Sequence, residues 1–259
     1  MAALFDDGKV TLGGWCGIPS PFAAELLGRS GFDWVCFDMQ HGLIGYDQLV
    51  PMLQALTQTG AKPIVRVPWN APDHIMKALD AGAVGIIVPM VDDAEQAEQA
   101  VAWAKYPPRG ARSWGPTRAA LLLSDYSAAR ANEHTSLIAM IETPAGVRNM
   151  DAIMQVDGVD AVYVGPSDLG LGHGLDPTQT PAARSENERL ILDILAACER
   201  NHVVPGIHTG DTATAKRWID AGYRMVTLGG DGAMLRAEAT ARVKALRADA
   251  TAAAPGQYA

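Results

Sequence analysis

The most constraining feature of the sequence is a regular alternation of short apolar runs with longer helical patterns along the chain. Eight runs rich in apolar and β-branched residues predict strands, at Leu12–Cys16, Trp34–Phe37, Pro63–Val67, Gly85–Pro89, Leu137–Ile141, Ala161–Val164, Val203–Ile207 and Met225–Leu228. A helical pattern follows each run, at Phe22–Arg29, Tyr46–Thr57, Pro72–Asp80, Ala94–Lys105, Gly146–Gln155, Ser185–Arg200, Thr212–Asp220 and Ala233–Ala248. This alternation is typical of parallel strands joined by helical crossovers.

Eight strand–helix units favour an α/β fold in which the strands close into a (β/α)8 TIM barrel. The length of 259 residues suits one such barrel. An open, doubly wound sheet is the main alternative, but no Gly-x-Gly-x-x-Gly pattern follows the first strand. No linker divides the chain, so we predict a single barrel domain over residues 1–250 and a frayed tail over residues 251–259. Residues 106–136 are irregular and predict a long loop with a short helix over one end of the barrel.

The charge and composition exclude several classes of function. The formal net charge of −8 argues against a nucleic-acid partner, because binding phosphates requires clustered Lys and Arg. No apolar run approaches the roughly 20 residues that a bilayer requires, and the first residues lack a signal-peptide pattern. Cys16, Cys36 and Cys198 lie in apolar surroundings, which indicates reduced core thiols. We therefore expect a compact cytoplasmic protein with no membrane partner.

Two acidic residues directly follow neighbouring strands. In parallel barrels the carboxyl ends of the strands meet at one face, where the chemistry is found. Glu142 follows the fifth strand and Asp168 follows the sixth, so both carboxylates should reach the same mouth. Two hard oxygen ligands suit Mg²⁺ or Mn²⁺, and no His or Cys cluster favours zinc. The alternative is a pair of rim carboxylates that hydrogen-bond to their own loops.

Two basic side chains also lie at strand ends. Arg66 ends the third apolar run, where a guanidinium is costly to desolvate unless a carboxylate or another anion meets it. It predicts a clamp for a substrate oxyanion or, alternatively, a structural ion pair. His41 follows the second strand and can act as a base near neutral pH, although a lone His is more often a loop or core residue. His208 and His173 are weaker candidates.

Two glycine-rich turns at strand ends suggest anion binding. The turn Gly165–Gly170 could direct the backbone amides of Ser167 and Asp168 at a carboxylate, or it is an ordinary βα turn. Residues 229–232, Gly-Gly-Asp-Gly, follow the eighth strand, where many barrels bind phosphate. Asp231 in this turn would repel a phosphate, which disfavours a sugar-phosphate isomerase.

The lysine positions exclude an aldolase that forms a Schiff base. Such an enzyme needs a lysine at a strand end inside the barrel. The lysines of this chain lie at the wrong end of a strand, in helices or outside the core: Lys9, Lys62, Lys77, Lys105, Lys216 and Lys244. Carbanion chemistry in this mouth would therefore require a metal ion as the electron sink.

Six ordered motifs carry a family resemblance. They are Asp38-Met-Gln-His-Gly42, Val65-Arg-Val-Pro-Trp-Asn70, Gly85-Ile-Ile-Val-Pro-Met-Val91, Tyr106-Pro-Pro-Arg-Gly110, Met140-Ile-Glu-Thr143 and Val164-Gly-Pro-Ser-Asp-Leu169. With them, roughly residues 10–240 resemble the HpcH/HpaI aldolase family. These are metal-dependent (class II) pyruvate aldolases, such as 4-hydroxy-2-oxoheptanedioate aldolase and 2-keto-3-deoxy-rhamnonate aldolase.

The resemblance implies reversible cleavage of a 4-hydroxy-2-oxo acid to pyruvate and an aldehyde, through a metal-stabilised pyruvate enolate. Glu142 and Asp168 would ligate Mg²⁺ or Mn²⁺, with Co²⁺ as a third candidate. Arg66 would steady the C2 oxygen of pyruvate as the enolate forms. The turn at Gly165, through the backbone of Ser167 and Asp168, would bind the pyruvate carboxylate.

The resemblance also assigns a base and an assembly. His41 would accept the proton through a metal-bound water, with Asp80 raising its basicity. Asp80 lies near the far end of its helix, so either that helix starts late and tilts or the carboxylate serves a neighbouring subunit. Family members are hexamers, built as trimers of dimers, with the last barrel helix exchanged between subunits. The small-molecule substrate and further copies of the chain are therefore the expected partners.

Some positions depart from the family pattern and leave the aldehyde open. Met140 replaces a Gln, Gln40 replaces a Glu, and the arginines after Gly110 are arranged differently. Met140, with Leu175 in the loop after the sixth strand, suggests a permissive acceptor pocket. Two other functions remain as alternatives: a CoA-thioester lyase of the citrate or malyl-CoA type, which needs a basic patch for the CoA phosphates, and a non-catalytic keto-acid binding protein.

Overall fold

The computed structural model describes residue 5, residues 8–175 and residues 180–252. Its strands are β1 (Thr11–Cys16), β2 (Trp34–Asp38), β3 (Lys62–Arg66), β4 (Gly85–Val88), β5 (Ser136–Met140), β6 (Ala161–Val164), β7 (Val204–Ile207) and β8 (Met225–Gly230). Each strand pairs in parallel with the next, and β8 pairs with β1, so the sheet closes. The predicted (β/α)8 TIM barrel is confirmed.

Helices alternate with the strands and surround the barrel. The longer ones are α1 (Pro21–Gly28), α2 (Tyr46–Leu56), α3 (Pro72–Asp80), α4 (Ala94–Ala104), α7 (Pro144–Met154), α9 (Pro181–Asn201), α10 (Thr212–Ala221) and α11 (Asp231–Ala252). The shorter ones are α5 (Ala119–Leu122), α6 (Ala128–His134) and α8 (Pro166–Gly172). The predicted starts of α7 and α9 were too late, because Pro144 and Pro181 belong to the first helical turn, where a proline costs no hydrogen bond.

Inward-facing side chains fill the barrel, so that it is a packed core and not a pore. Trp34 is fully buried inside it, and Gly13 on the neighbouring strand makes the room for its ring. A Cβ on Gly13 would lie 2.1 Å from the Trp34 ring. Near the other end, Tyr163 is also fully buried and lies against Gly206. The outward-facing strand residues pack against the helices in a second, larger cluster.

Residues 106–136 lie at the amino-terminal end of the strands, away from the mouth. They contain α5 and α6, where the sequence predicted one short helix. The Arg118 guanidinium donates to the carbonyl of Ala81 at 2.6 Å, to the Thr57 hydroxyl at 2.7 Å and to the carbonyl of Leu53 at 3.3 Å. One side chain thus caps the carboxyl ends of α2 and α3, which favours a cation there.

Helix α11 extends further than the sequence indicated. It continues through Ala252, so the first two residues of the predicted frayed tail are helical, and residues 253–259 lie outside the described part of the chain. Its residues 232–247 are all exposed, and its main contacts are with β1 and β8. The cysteines are buried and unpaired, as predicted. Among the described helices, none is both long and apolar enough to cross a membrane.

Candidate active site

A cavity of about 300 Å³ opens at the carboxyl ends of the strands. Parallel barrels place their chemistry at this face, because the loops after the strands converge there. The cavity contains most of the residues that the sequence predicted for the site. Its lining is Trp15, Asp38, His41, Arg66, Met140, Tyr163, Gly165, Pro166, Ser167, Asp168 and His208.

Arg66 forms a buried ion pair with Asp38. Its Nε donates to Asp38 Oδ1 at 2.9 Å and its Nη2 to Oδ2 at 2.6 Å, while Trp15 Nε1 donates to Oδ2 at 3.0 Å. Burial raises the pKa of Asp38, but the hydrogen bonds and charge of Arg66 outweigh it and hold that pKa below its ordinary value. The structural ion pair that the sequence left as an alternative is therefore present. Nη1 makes no hydrogen bond to any described residue and remains available for an anion.

Asp38 is a site residue that the sequence reasoning did not single out. The strand register places Asp38 directly opposite Arg66, so the acid that ends β2 meets the base that ends β3. Its Oδ1 also accepts the backbone N–H groups of Gln40 at 3.0 Å and His41 at 3.2 Å. Asp38 therefore fixes both the guanidinium and the start of the His41 loop. The signal in the sequence was an acid and a base at the ends of consecutive strands.

Glu142 is 2% exposed, and only one of its two carboxylate oxygens has a hydrogen-bond partner among the described residues. Its Oε1 accepts the backbone N–H of Met90 at 3.0 Å, whereas Oε2 is buried and has no partner among the described residues. Met90 has a φ of 55°, a left-handed conformation that is unusual for a side-chain-bearing residue. Burial raises the pKa of Glu142 to about 7; the Met90 N–H lowers it, nearby Asp168 raises it and Arg66 lowers it. A buried carboxylate oxygen without a partner is costly, which indicates that a further group belongs there.

Gly165 makes the space in front of Glu142. A Cβ at residue 165 would lie 2.6 Å from Glu142 Oε2 and 3.2 Å from the Met140 side chain. Asp168, on the first turn of α8, is half-buried and close enough to influence the pKa of Glu142. Two neighbouring carboxylates, one with an unpartnered oxygen, fit a hard divalent cation. In the described residues no group of three or more His, Cys, Asp or Glu is placed to hold a metal.

His41 and Asp80 lie far apart within the chain. His41 is exposed at the rim of the cavity. Asp80 is the last residue of α3, which runs away from the mouth by about 1.5 Å per residue, and its carboxylate accepts a hydrogen bond from Arg112 Nη2 at 2.6 Å. Burial raises the pKa of Asp80, an effect that Arg112 opposes. The alternative in which α3 starts late is wrong, because the helix begins at Pro72 as predicted.

An aromatic wall lines another part of the cavity, and sequence reasoning missed it. Trp15 stacks on Tyr163 with ring centroids 5.7 Å apart, and the His208 ring meets Trp15 edge-on at 4.8 Å. The Tyr163 hydroxyl bonds to Thr227 Oγ1 and lies 3.4 Å from His208 Nδ1. The signal was the period-two alternation of β1 and β6, which turns Trp15 and Tyr163 inward. The other predicted pocket residue, Leu175, packs against the outer core.

The Asp231 carboxylate accepts hydrogen bonds from the backbone amides near the eighth strand. Its carboxylate accepts the N–H groups of Gly17 and Ile18, each at 3.0 Å, and of Gly232 at 2.7 Å. The same carboxylate accepts the Cys16 thiol at 3.3 Å. A phosphate would compete with this carboxylate, so the turn does not resemble the phosphate site of other barrels.

Residues 12–238 match the sequence model of the protein family that is described as HpcH/HpaI aldolase/citrate lyase. The chain belongs to that family. The resemblance drawn from the six motifs is thereby confirmed, and HpcH/HpaI membership makes this chain a carbon–carbon lyase.

Individual relatives agree with this family assignment. The chain is 40% identical to a hydroxypyruvate/pyruvate aldolase of Rhizorhabdus wittichii, over 91% of this chain and 93% of the relative. It is 34% identical to a 4-hydroxy-2-oxo-heptane-1,7-dioate aldolase of Escherichia coli, over 97% and 96%. Among solved structures, an HpcH/HpaI aldolase/citrate lyase family protein from Burkholderia cenocepacia superposes with a TM-score of 0.87 at 31% identity, covering 94% and 97%.

Proposed function

We propose that this chain catalyses the reversible, divalent-metal-dependent aldol cleavage of a 4-hydroxy-2-oxo acid to pyruvate and an aldehyde. The observation that carries the proposal is the buried, unpartnered Oε2 of Glu142, facing the side of Gly165 that a Cβ would fill. A carboxylate oxygen kept open in this way, near Asp168 and Arg66, suits a cation and an anionic substrate together.

Glu142 and Asp168 are the residues that would hold the cation, with Mg²⁺ or Mn²⁺ as the first candidates and Co²⁺ as the third. When bound, the ion supplies positive charge that stabilises the negative charge developing on the 2-oxo oxygen as the C3–C4 bond breaks. Gly165 keeps the approach to Glu142 free, and the Met90 N–H keeps the carboxylate from turning away.

Arg66 binds the 2-oxo oxygen through the Nη1 that its pairing with Asp38 leaves unused. Because Asp38 accepts two hydrogen bonds from the guanidinium, the direction of Nη1 is fixed before substrate arrives. The substrate carboxylate binds at the start of α8, where the backbone N–H groups of Ser167 and Asp168 lie in the first turn and so have no partner within the helix. These residues orient the C3–C4 bond for cleavage.

His41 moves the proton. In cleavage it accepts the proton of the 4-hydroxyl as the aldehyde forms, and in the addition direction it returns a proton to the aldehyde oxygen. Its position at the open rim suits a group that meets the aldehyde half of the substrate. Asp80 cannot assist His41 of its own chain, so any such role requires the Asp80 of a neighbouring copy.

We also propose that the chain assembles as a hexamer, a trimer of dimers in which α11 is exchanged between subunits. Supporting this, α11 carries exposed apolar side chains that nothing within the described chain covers, namely Met234, Leu235, Val243 and Leu246. Apolar patches of this kind mark protein contacts. Light scattering coupled to gel filtration tests the assembly, and a monomer would contradict it. The cytoplasmic location remains a prediction.

The decisive experiment measures pyruvate release from a panel of 4-hydroxy-2-oxo acids with different tails. Treatment with EDTA should abolish activity, and added Mg²⁺ or Mn²⁺ should restore it. Calorimetric titration with Mn²⁺ gives a readout that does not depend on turnover: Glu142→Gln should weaken binding by about 10-fold or more. Full activity after exhaustive chelation, or unchanged Mn²⁺ affinity in the variant, would contradict the proposal.

A further inference from the structure

A second cavity, of about 390 Å³, lies at the amino-terminal end of the strands, and the proposed function gives it no task. It is enclosed by the starts of β3 and β4 and by the short helices α5 and α6. This cavity and the one at the mouth share no described residue. Its wall is mainly apolar and includes Pro63, Leu79, Val84, Leu122 and Leu123. Cavities of this size and lining bind small organic molecules.

Arg112 lines this cavity with a buried guanidinium that is only partly bonded. Its side chain is 2% exposed, its Nη2 donates to Asp80 Oδ1 at 2.6 Å, and its Cζ lies 4.4 Å from the centroid of the Tyr106 ring. Its Nε is buried and has no hydrogen-bond partner among the residues that the structure describes. A buried donor without a partner is costly, which indicates that an acceptor belongs beside it.

His134, the last residue of α6, adds a second unpartnered nitrogen to the residues that line the cavity. Its Nε2 is buried and bonds to no described residue. In the tautomer that carries the Nε2 proton, this nitrogen donates a hydrogen bond. Arg112 and His134 can therefore provide two donors, which is the number that the two oxygens of one carboxylate can accept.

The charges around the cavity favour an anion. Its lining contains Lys62, Arg112 and His134, and no Asp or Glu is among the described lining residues, although the chain carries a net charge of −8. A phosphate or sulfate ion would accept from the donors but would leave the apolar wall uncovered. An uncharged apolar molecule would leave the donors without a partner. The combination of wall and donors matches a carboxylate attached to an apolar body.

We propose that this cavity is a second ligand site, which binds a small monocarboxylate with an aromatic or branched apolar body. The carboxylate accepts hydrogen bonds from Arg112 Nε and His134 Nε2, and the apolar body packs against the wall that contains Leu79 and Leu122. A charge-assisted hydrogen bond from a guanidinium to a carboxylate is among the stronger polar contacts in proteins. The site goes beyond the proposed aldolase function and does not depend on it.

Equilibrium dialysis of the full chain with 3-phenylpropanoate tests the proposal. Two control ligands separate the two parts of the probe: 3-phenylpropanol has the apolar body without the charge, and acetate has the charge without the body. Each should bind at least about 10-fold more weakly than 3-phenylpropanoate. Arg112→Lys keeps the positive charge but removes Nε, so it should weaken binding of the acid by about 10-fold. Arg66→Ala changes only the other cavity and should bind the acid as the wild type does.

A matched pair of variants on α5 keeps the test valid if Arg112→Lys folds poorly. Leu122 lines the cavity and is 40% exposed, whereas its neighbour Leu121 lies outside the lining and is 82% exposed. Leu122→Glu places a carboxylate at the wall and should weaken binding of 3-phenylpropanoate by about 10-fold, because like charges repel more strongly away from bulk water. Leu121→Glu adds the same charge outside the cavity and should bind the acid as the wild type does.

Several results would overturn the inference. These are no binding of 3-phenylpropanoate at millimolar concentration, equal affinity for the acid and either control ligand, and equal affinity in the two α5 variants. Binding that is lost in Arg66→Ala and kept in Arg112→Lys would assign the probe to the mouth and would also overturn it. None of these measurements requires turnover, so their outcome is separate from the test of the aldolase function.

Discussion

Two arginine–aspartate pairs lie at opposite ends of the barrel, one with a buried acid and one with a half-buried acid, and they differ in how many hydrogen bonds the acid accepts. At the mouth, Asp38 accepts two hydrogen bonds from Arg66, and its pKa lies below the ordinary value. At the closed end, Asp80 accepts one hydrogen bond from Arg112, and the pKa of Asp80 is raised. The Nε of Arg112 is buried and has no partner in the part of the chain that the structure describes. The geometry of an ion pair, and not its mere presence, therefore decides whether the pKa of its carboxylate lies below or above the ordinary value.

The largest expected difference between the two pairs is in catalysis. Arg66→Ala should lower kcat by about 10² to 10³, because it removes the donor to the 2-oxo oxygen and leaves Asp38 unpaired. Arg112→Ala is the matched control at the other end and should lower the melting temperature while keeping kcat near wild type. Pyruvate release and thermal unfolding measure the two effects. Equal losses of activity would instead connect the Asp80 pair to the reaction.

A smaller effect is expected from substituting Gly165, the glycine that leaves space in front of Glu142. Gly165→Ala should weaken Mn²⁺ binding and activity by about 10- to 100-fold, because the new methyl group would lie against Glu142 Oε2. Gly165 has a φ of −98°, which alanine adopts freely, so the loss would come from this contact and not from backbone strain. Gly210→Ala is the control, since a Cβ there meets nothing within 4 Å. Equal behaviour of the two variants would contradict the role of Gly165.

The smallest expected effect is a difference between the Asp38 pair and the Asp80 pair in how the free energy of unfolding depends on pH. Asp38, with its lowered pKa, contributes stability that is present above the unfolded value of about 3.9 and is lost as pH falls through the folded pKa. Asp80, with its raised pKa, behaves oppositely: the folded state gains stability as pH falls through its folded pKa toward about 3.9. Each pKa unit corresponds to about 1.4 kcal/mol.

Urea unfolding at fixed protein concentration measures this contrast. The stability gap between wild type and Asp38→Asn should be larger at pH 7 than at pH 3. For Asp80→Asn we compare the free energy of unfolding of the wild type minus that of the variant. This difference should instead become more positive as the pH falls from 7 to 4. Parallel pH profiles for the two variants would show that the pairs do not differ.

The sequence predicted the fold and the acidic pair because both depend on local signals. Glu142 and Asp168 follow apolar runs directly, so their strand-end positions are readable without tertiary information. Asp38 was not singled out because its task depends on strand register, which sets it opposite a residue 28 positions later. Met90 is a further case, since its left-handed backbone is imposed by tertiary structure and no glycine marks it.

Other residues could not be placed without the packed structure. The two short helices of residues 106–136 are held by tertiary contacts such as those of Arg118, and short helices have little intrinsic stability. The family resemblance assigned Asp80 a role beside His41, yet the direction of α3 determines that it meets Arg112.

Trp15 gives this protein an intrinsic optical probe. Its indole lies 4.9 Å beneath the Arg66 guanidinium, bonds to Asp38 and touches the His208 ring edge-on. Indole emission responds to nearby charge, so an anion arriving beside Arg66 would alter the fluorescence without any chemistry taking place. Occupancy could then be followed in real time, separately from turnover, once the signals of the other tryptophans are subtracted.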